Sequence, residues 1–266
     1  MPSFNSAIPN LILSKMTLVN IAGIADSSTV DYPGKLCAVV YMCGCPYRCP
    51  WCQNPELVFG KGTCAPAEID SVVKALKQNF LISAVCVTGG EPIMAEGAVE
   101  LIRKIKAETG YLVKVDTNGC RAEELKKILD YVDFVSIDIK APLDERYGKA
   151  IGIPDGWEKA ASDLEKTIEM LRKSGVETEA RTTVVPGLIE SDQDIIKIAR
   201  LVSEAGFSHY VLQQFRPMNT LDPSYRRLKS PSREKLLAFG KVAKKHLPSA
   251  SVRIVTQERG FEEIHL

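Results

Sequence analysis

The run Leu36-Cys37-Ala38-Val39-Val40-Tyr41-Met42 leads directly into Cys43-Gly44-Cys45-Pro46-Tyr47-Arg48-Cys49-Pro50-Trp51-Cys52. The first seven residues have the length and apolar character of a buried strand. The loop that follows carries Cys45, Cys49 and Cys52 at C-x3-C-x2-C spacing. Three thiolates on one short loop can hold three corners of a cubane iron–sulfur cluster, whereas a closed electron-transfer cluster asks for four. The fourth iron is then open, and an open metal position lets a small molecule coordinate and react. Trp51 supplies an aromatic wall beside the last thiol. Cys43 adds a fourth thiol to the stretch, so a structural zinc is the alternative. Zinc knuckles usually pair two such arms across a longer gap, and no second arm follows.

Outward from this loop the chain alternates short β-like runs with amphipathic helices, the pattern of βα units around a parallel sheet. Strands are predicted at Leu36–Met42, Ala84–Thr88, Tyr111–Asp116, Phe134–Asp138, Glu177–Val185 and Tyr210–Gln214, with a seventh at Ser251–Thr256. Helices are predicted at Pro66–Phe80, Glu96–Glu108, Ala122–Tyr131, Gly156–Lys173, Ser191–Ala205 and Ser232–His246. Pro66 suits the first turn of a helix, where its missing N–H is not needed. Phe215–Pro231 reads as a long surface loop. Six strands with intervening helices make an α/β fold, an incomplete (β/α)6 TIM-like barrel. Residues 1–19 are expected to be an N-terminal extension, with Met16 an alternative start. Residues 20–266 form the partial-barrel domain with a C-terminal helix and strand.

Composition narrows the function classes. The 266 residues carry a net charge of +1, 45% hydrophobic and 25% charged residues, ordinary for a soluble globular enzyme. No basic run points to nucleic acid, and no apolar stretch approaches a membrane span. The start of the chain does not read as a signal peptide, so a cytoplasmic location is expected. Eight cysteines in such a chain argue for metal or catalytic use over disulfides. Cys37 and Cys86 fall in apolar runs and read as small hydrophobes; Cys64 and Cys120 have no partner at ligand spacing. No cysteine follows Cys120, so a second cluster in the C-terminal half is excluded.

In parallel α/β barrels the reacting groups gather at the C-terminal strand ends. The second strand ends in Thr88-Gly89-Gly90-Glu91-Pro92, where paired glycines permit close backbone approach and Glu91 adds an acceptor. The third ends in Asp116-Thr117-Asn118-Gly119 and the fourth in Asp138-Ile139-Lys140. Carboxylates ending apolar strands need a cation or donors to stay charged. Arg181 lies inside the fifth strand, and its guanidinium also needs a partner. By strand alternation one of Gln213 and Gln214 faces the barrel, and Gln214 is favoured.

Taken together, these residues resemble the radical S-adenosylmethionine (SAM) superfamily. The cysteine loop matches its cluster signature, in which the open iron of a 4Fe-4S cluster chelates SAM, and Thr88–Pro92 matches its GGEP motif, which maps Gly90 to the SAM amino group. Asp31-Tyr32-Pro33-Gly34-Lys35 and Cys52-Gln53-Asn54-Pro55-Glu56-Leu57 resemble the glycyl-radical activases, and specifically activators of anaerobic ribonucleoside-triphosphate reductase. Pyruvate formate-lyase activase is the nearest cousin. The likeness covers about Asn20 to Met218. It implies Cys45, Cys49 and Cys52 as cluster ligands. It also implies Trp51, Cys52, Gln53, Gly89, Gly90, Glu91, Asp116, Asp138, Lys140, Arg181 and Gln214 around SAM, with Lys140 pointing at it. For Arg181 the candidate is the SAM carboxylate or ribose side, an internal ion pair with a strand-end Asp being the alternative. A monovalent cation would sit beside Asp116, Thr117, Ser136 and Asp138.

The resemblance implies reductive cleavage of SAM, abstraction of hydrogen from a glycine of a partner enzyme, and a one-electron donor such as flavodoxin or ferredoxin. No titratable base is needed. The alternative within the superfamily is an enzyme acting on a small biosynthetic intermediate; from another class, a metal-binding module without catalysis. Three departures stand out: Gln53 replaces a frequent histidine, Cys43 is an additional thiol, and the chain beyond Pro231 exceeds the smallest relatives. Some activases insert ferredoxin-like clusters after the cysteine loop, but Gln53 to Thr88 holds only Cys64 and Cys86, which excludes that subtype.

Overall fold

The computed structural model describes residues 17–266. Residues 1–16, including Met16, lie outside the described residues. Ten strands form one sheet: β1 (Leu18–Ser28), β2 (Cys37–Met42), β3 (Ala65–Glu68), β4 (Ala84–Gly89), β5 (Leu112–Thr117), β6 (Phe134–Asp138), β7 (Glu177–Val184), β8 (His209–Gln214), β9 (Ser251–Thr256) and β10 (Gly260–Glu263). The helices are α1 (Pro55–Val58), α2 (Ile69–Gln78), α3 (Ala98–Thr109), α4 (Ala122–Lys126), α5 (Glu145–Ile151), α6 (Trp157–Ser174), α7 (Asp192–Glu204) and α8 (Arg233–His246). The order in the sheet is β10-β9-β8-β7-β6-β5-β4-β2-β1-β3. From β2 to β9 every neighbouring pair is parallel, while β1, β3 and β10 add antiparallel edges. The sheet does not close on itself, as expected of an incomplete barrel.

Strand alternation sorts the side chains into two chemically different faces. Val40, Val87, Val115, Ile137, Ala180, Leu212 and Ile254 bury in the main core, where helices such as α2, α3 and α6 lay their apolar stripes. The opposite, concave face begins at the N-terminal strand ends with Cys37, Val39, Ala84, Cys86 and Phe134, a small separate apolar cluster. Tyr32 caps it, its ring 5.8 Å from that of Phe134. Part of the Asp31–Lys35 motif thus plugs the floor of the half-barrel. Higher on the same face the strands carry Asp116, Asp138 and Arg181 instead of hydrophobes.

Three sequence expectations are corrected. Ala65–Glu68 is a strand and not the first turn of a helix: Pro66 sits opposite Asn20 in the β1–β3 ladder, on the sheet edge where a residue without an N–H is tolerated. Leu18 and Val19 already belong to β1, so the N-terminal extension does not reach residue 19. Cys43 and Cys64 form a disulfide, with Cα atoms 6.0 Å apart; α1 and the turn after it bring Cys64 back beside the end of β2. Cys43 is therefore not available as the fourth thiol of the zinc alternative, and Cys64 has the partner that linear spacing did not show. Among the described residues no helix is long and apolar enough to cross a membrane.

Candidate active site

The cysteine loop is held from both flanks by its backbone. The Gly44 and Cys45 amides donate to the Leu57 and Val58 carbonyls at 2.8 and 3.1 Å, so α1 braces it from its C-terminal side. The Arg48 amide donates to Ile151 at the end of α5, at 2.8 Å. Gly152 (φ +69) caps that helix, and a Cβ there would run into the Arg48 carbonyl. Opposite the loop, the Gly90 amide donates to Met42 and the Glu91 amide to Gly44, at 3.0 and 2.7 Å. A Cβ on Gly90 would meet the Gly44 carbonyl. The paired glycines are thus needed where two backbones touch.

Cys45, Cys49 and Cys52 line one wall of a cavity of about 500 Å³ at the C-terminal strand ends. Trp51, Gln53, Gly89, Gly90, Asp116, Asp138, Lys140, Arg181 and Gln214 line it too. The fold therefore brings together every residue expected around the cluster and SAM except Glu91; of the expected cation group, Ser136 does not line the cavity. Burial pushes the Cys45 thiol up to about 11 and the more deeply buried Cys49 up to about 12, so iron must displace their protons as it binds. Among the described residues no three His, Cys, Asp or Glu side chains converge on one metal ion. A cubane does not ask them to, because each thiolate takes a different iron. The Asn118 side-chain amide lies 3.6 Å from the Cys45 sulfur, a donor suited to a cluster-bound thiolate. The donor set fits a three-thiolate cluster.

Glu91 is wholly buried behind the Gly-Gly turn. Its carboxylate accepts from the Thr117 hydroxyl and the Asn118 amide, both at 2.7 Å, so it joins the ends of β4 and β5 instead of facing the cavity. Burial lifts it to about 7, with the Asn118 and Thr117 donors pulling the other way. A folded-state value above the unfolded one means the native protein holds the proton more tightly. Glu91's contribution is fully present below about pH 4.5 and is lost as the pH rises to about 7. The whole span is worth roughly 3 kcal/mol. Glu91→Gln keeps the acceptor without the charge. The melting temperature of wild type should therefore fall relative to this variant between pH 5 and 7.5; parallel curves would show that Glu91 does not titrate there.

Asp116, Asp138, Arg181, Lys140 and Lys114 form one charged network. Arg181 Nη1 lies 3.1 Å from Asp116 Oδ2, and its Nε lies 3.2 Å from Asp138 Oδ1. Lys140 Nζ reaches Asp138 Oδ2 at 3.0 Å, and Lys114 pairs with Asp116 Oδ1. Burial pushes both carboxyls up, but Lys140 and Arg181 hold Asp138 at about 2, and Arg181 and Lys114 hold Asp116 below its usual value. The internal partner considered for Arg181 is thus present twice over. Lys114 was not singled out from the sequence, although a lysine inside Leu112–Val115 carries the same signal as Arg181. Within the expected cation group, the Thr117 hydroxyl donates to Glu91, the Ser136 hydroxyl donates to Glu179 at 3.0 Å, and both aspartates are ion-paired.

Gln213, not Gln214, shares the parity of the inward-facing residues. It stands opposite Thr183 and Val255 in the ladder, and all three line the cavity. Gln214 reaches the cavity edge while its side chain joins Pro231 and Gln257 at 2.9 and 2.8 Å. The stretch Phe215–Pro231, expected to be a surface loop, includes a 3-10 turn at Pro223–Arg227 and folds back over the cysteine loop. Asp222 N donates to the Pro50 carbonyl at 2.9 Å. Gln53's amide donates to the carbonyls of Trp51 and Arg216 at 3.1 and 3.2 Å. The Tyr225 ring lies 6.4 Å from that of Trp51.

Residues 39–202 match the family model of the radical SAM superfamily. The chain belongs to the radical SAM superfamily. A protein of Methanocaldococcus jannaschii, assigned by inference as a glycyl-radical enzyme activating enzyme, is 32% identical over 239 residues, 88% of this chain and 96% of that one. The pyruvate formate-lyase-activating enzyme of Clostridium pasteurianum is 30% identical over 192 residues, covering 70% of this chain and 77% of that one. Among solved structures, TYW1 with a bound lysine-pyruvate adduct superposes with a TM-score of 0.62 at 18% identity, over 84% of this chain and 77% of that one; this likeness concerns the fold. Membership of this family implies a 4Fe-4S cluster and SAM as cofactors.

Proposed function

We propose that this radical SAM protein is a glycyl-radical enzyme activase whose partner is anaerobic ribonucleoside-triphosphate reductase. The full-length likeness to the M. jannaschii protein carries the reading, and the Asp31–Lys35 motif supports it. When bound, the reduced cluster and SAM supply the one-electron cleavage from which the hydrogen-abstracting fragment arises. Cys45, Cys49 and Cys52 hold the cluster on the cavity wall. Lys140 and Arg181 present positive charge to the SAM carboxylate. The amides of Gly90 and Glu91 are engaged by the end of β2 and the cysteine loop, which leaves carbonyl oxygens of the turn as acceptors for the SAM ammonium. Thr183, Gln213 and Arg216 line the adenosine side. The partner's glycine must enter on a locally opened loop, and the unclosed sheet leaves a lateral approach to the cavity. Flavodoxin or ferredoxin is the proposed reductant.

The test is anaerobic incubation of reconstituted protein with reductant, SAM and the reductase. The expected result is 5′-deoxyadenosine together with a glycyl doublet in the EPR spectrum of the reductase. Deoxyadenosine without a doublet on that or any other glycyl-radical enzyme would overturn the activase reading in favour of a small-molecule substrate.

A further inference from the structure

We propose that Arg181 takes the place of a monovalent metal ion in this cavity, so that the protein binds its sulfonium cofactor without potassium or sodium. The proposal rests on the SAM reading of the cavity and concerns the charges that surround it.

Each of the four carboxylate oxygens of Asp116 and Asp138 already faces a side-chain cation. Lys114 takes Asp116 Oδ1 and Lys140 takes Asp138 Oδ2, while the single guanidinium of Arg181 spans Asp116 Oδ2 and Asp138 Oδ1. A metal ion bridging the two aspartates would compete with Arg181 for the same two oxygens. The register sets up this bridge: Arg181 is paired with Asp138 in the β6–β7 ladder, and Asp116 lies one strand further along, opposite Ser136. A planar group with several donors can span two neighbouring strand ends in this way, and an ammonium cannot.

The charge count points in the same direction. Lys114, Lys140 and Arg181 face Asp116 and Asp138, and Arg216 and Asp31 also line the cavity, four cations against three carboxylates. The neighbouring Glu179 is matched by Arg253 at 3.0 Å. The site therefore carries an excess positive charge before any ligand arrives. Another cation would be repelled at short range, whereas a ligand carboxylate would complete the balance. Removing Arg181 reverses this situation, because it frees one oxygen on each aspartate and creates a two-carboxylate site open to a metal ion.

The experiment compares wild type and Arg181→Met in potassium, sodium and tetramethylammonium chloride at equal ionic strength. Two quantities are read: the melting temperature of the cluster-loaded protein without SAM, and the SAM dissociation constant by equilibrium dialysis. Wild type should give the same values in all three salts. Arg181→Met should melt lower in tetramethylammonium and recover in potassium or sodium, and its SAM affinity should rise on the order of tenfold with the small ion. A wild-type affinity that falls tenfold when potassium and sodium are withdrawn would overturn the proposal. So would a folded Arg181→Met that ignores the salt. If that variant does not fold, the wild-type comparison decides alone. If no SAM binds in any salt, the SAM reading fails, while the melting temperatures still report on the substitution of Arg181 for a metal ion.

Discussion

Replacing Cys49 with alanine should abolish 5′-deoxyadenosine formation and bleach the cluster absorbance, with melting of the metal-free protein little changed. Cys49 is the most enclosed of the three loop thiols and the middle one of the set. Its neighbours are Lys140, Cys45, Cys52 and Asp138, with no spare thiol of the loop to replace it, because Cys43 is tied to Cys64. Losing an outer-sphere partner of a metal site already costs about 10–100-fold in affinity or activity; losing a direct ligand should cost more than ~10²-fold. Iron and sulfide content, the visible spectrum and product yield check this together. A Cys49→Ala protein that retained a full cluster and turned over SAM would remove this thiol from the ligand set.

The second large effect is expected at Asp116. Asp116→Ala leaves the Lys114 ammonium, only 2% exposed, facing the Cys86 sulfur at 3.8 Å and the Phe134 ring at 6.0 Å. It also releases one arm of Arg181. Breaking a buried pair from one side costs about 3–5 kcal/mol, because the remaining charge is uncompensated. In a protein of this size that corresponds to a melting temperature lower by roughly 10 °C. Changing both partners together, Lys114→Met with Asp116→Leu, should recover much of this loss, since no buried charge is then stranded. SAM binding should remain impaired in the double variant, because Arg181 keeps only Asp138 as its anchor. Equal melting of the single and double variants would mean that the Lys114–Asp116 pair does not carry the cost.

Whatever is local along the chain was legible in the order of its residues. Cys45, Cys49 and Cys52 share one short loop, so their candidacy as a ligand set is legible from spacing alone. The two-residue period of the strands and the apolar stripes of the helices sufficed for the partial barrel. The glycines after Thr88 marked a place where backbone must approach backbone. Tertiary structure decided whatever depends on which strand lies beside which. Asp116, Asp138 and Arg181 were legible as charges in need of partners, but their mutual pairing follows from the register of β5, β6 and β7, which no single segment encodes. Lys114, a lysine inside an apolar strand, carries the same local signal as Arg181, and only its pairing with Asp116 depends on the fold. Cys64 found Cys43 only because α1 and the following turn reverse the chain. Pro66 suits a helix start or an edge strand equally well, and the ladder with β1 settled it. Gln213 and Gln214 differ by one residue, so the face each presents was decided by the pairing of β8 with its neighbours. Local chemistry specified the reactive loop, and long-range packing decided which charges surround it.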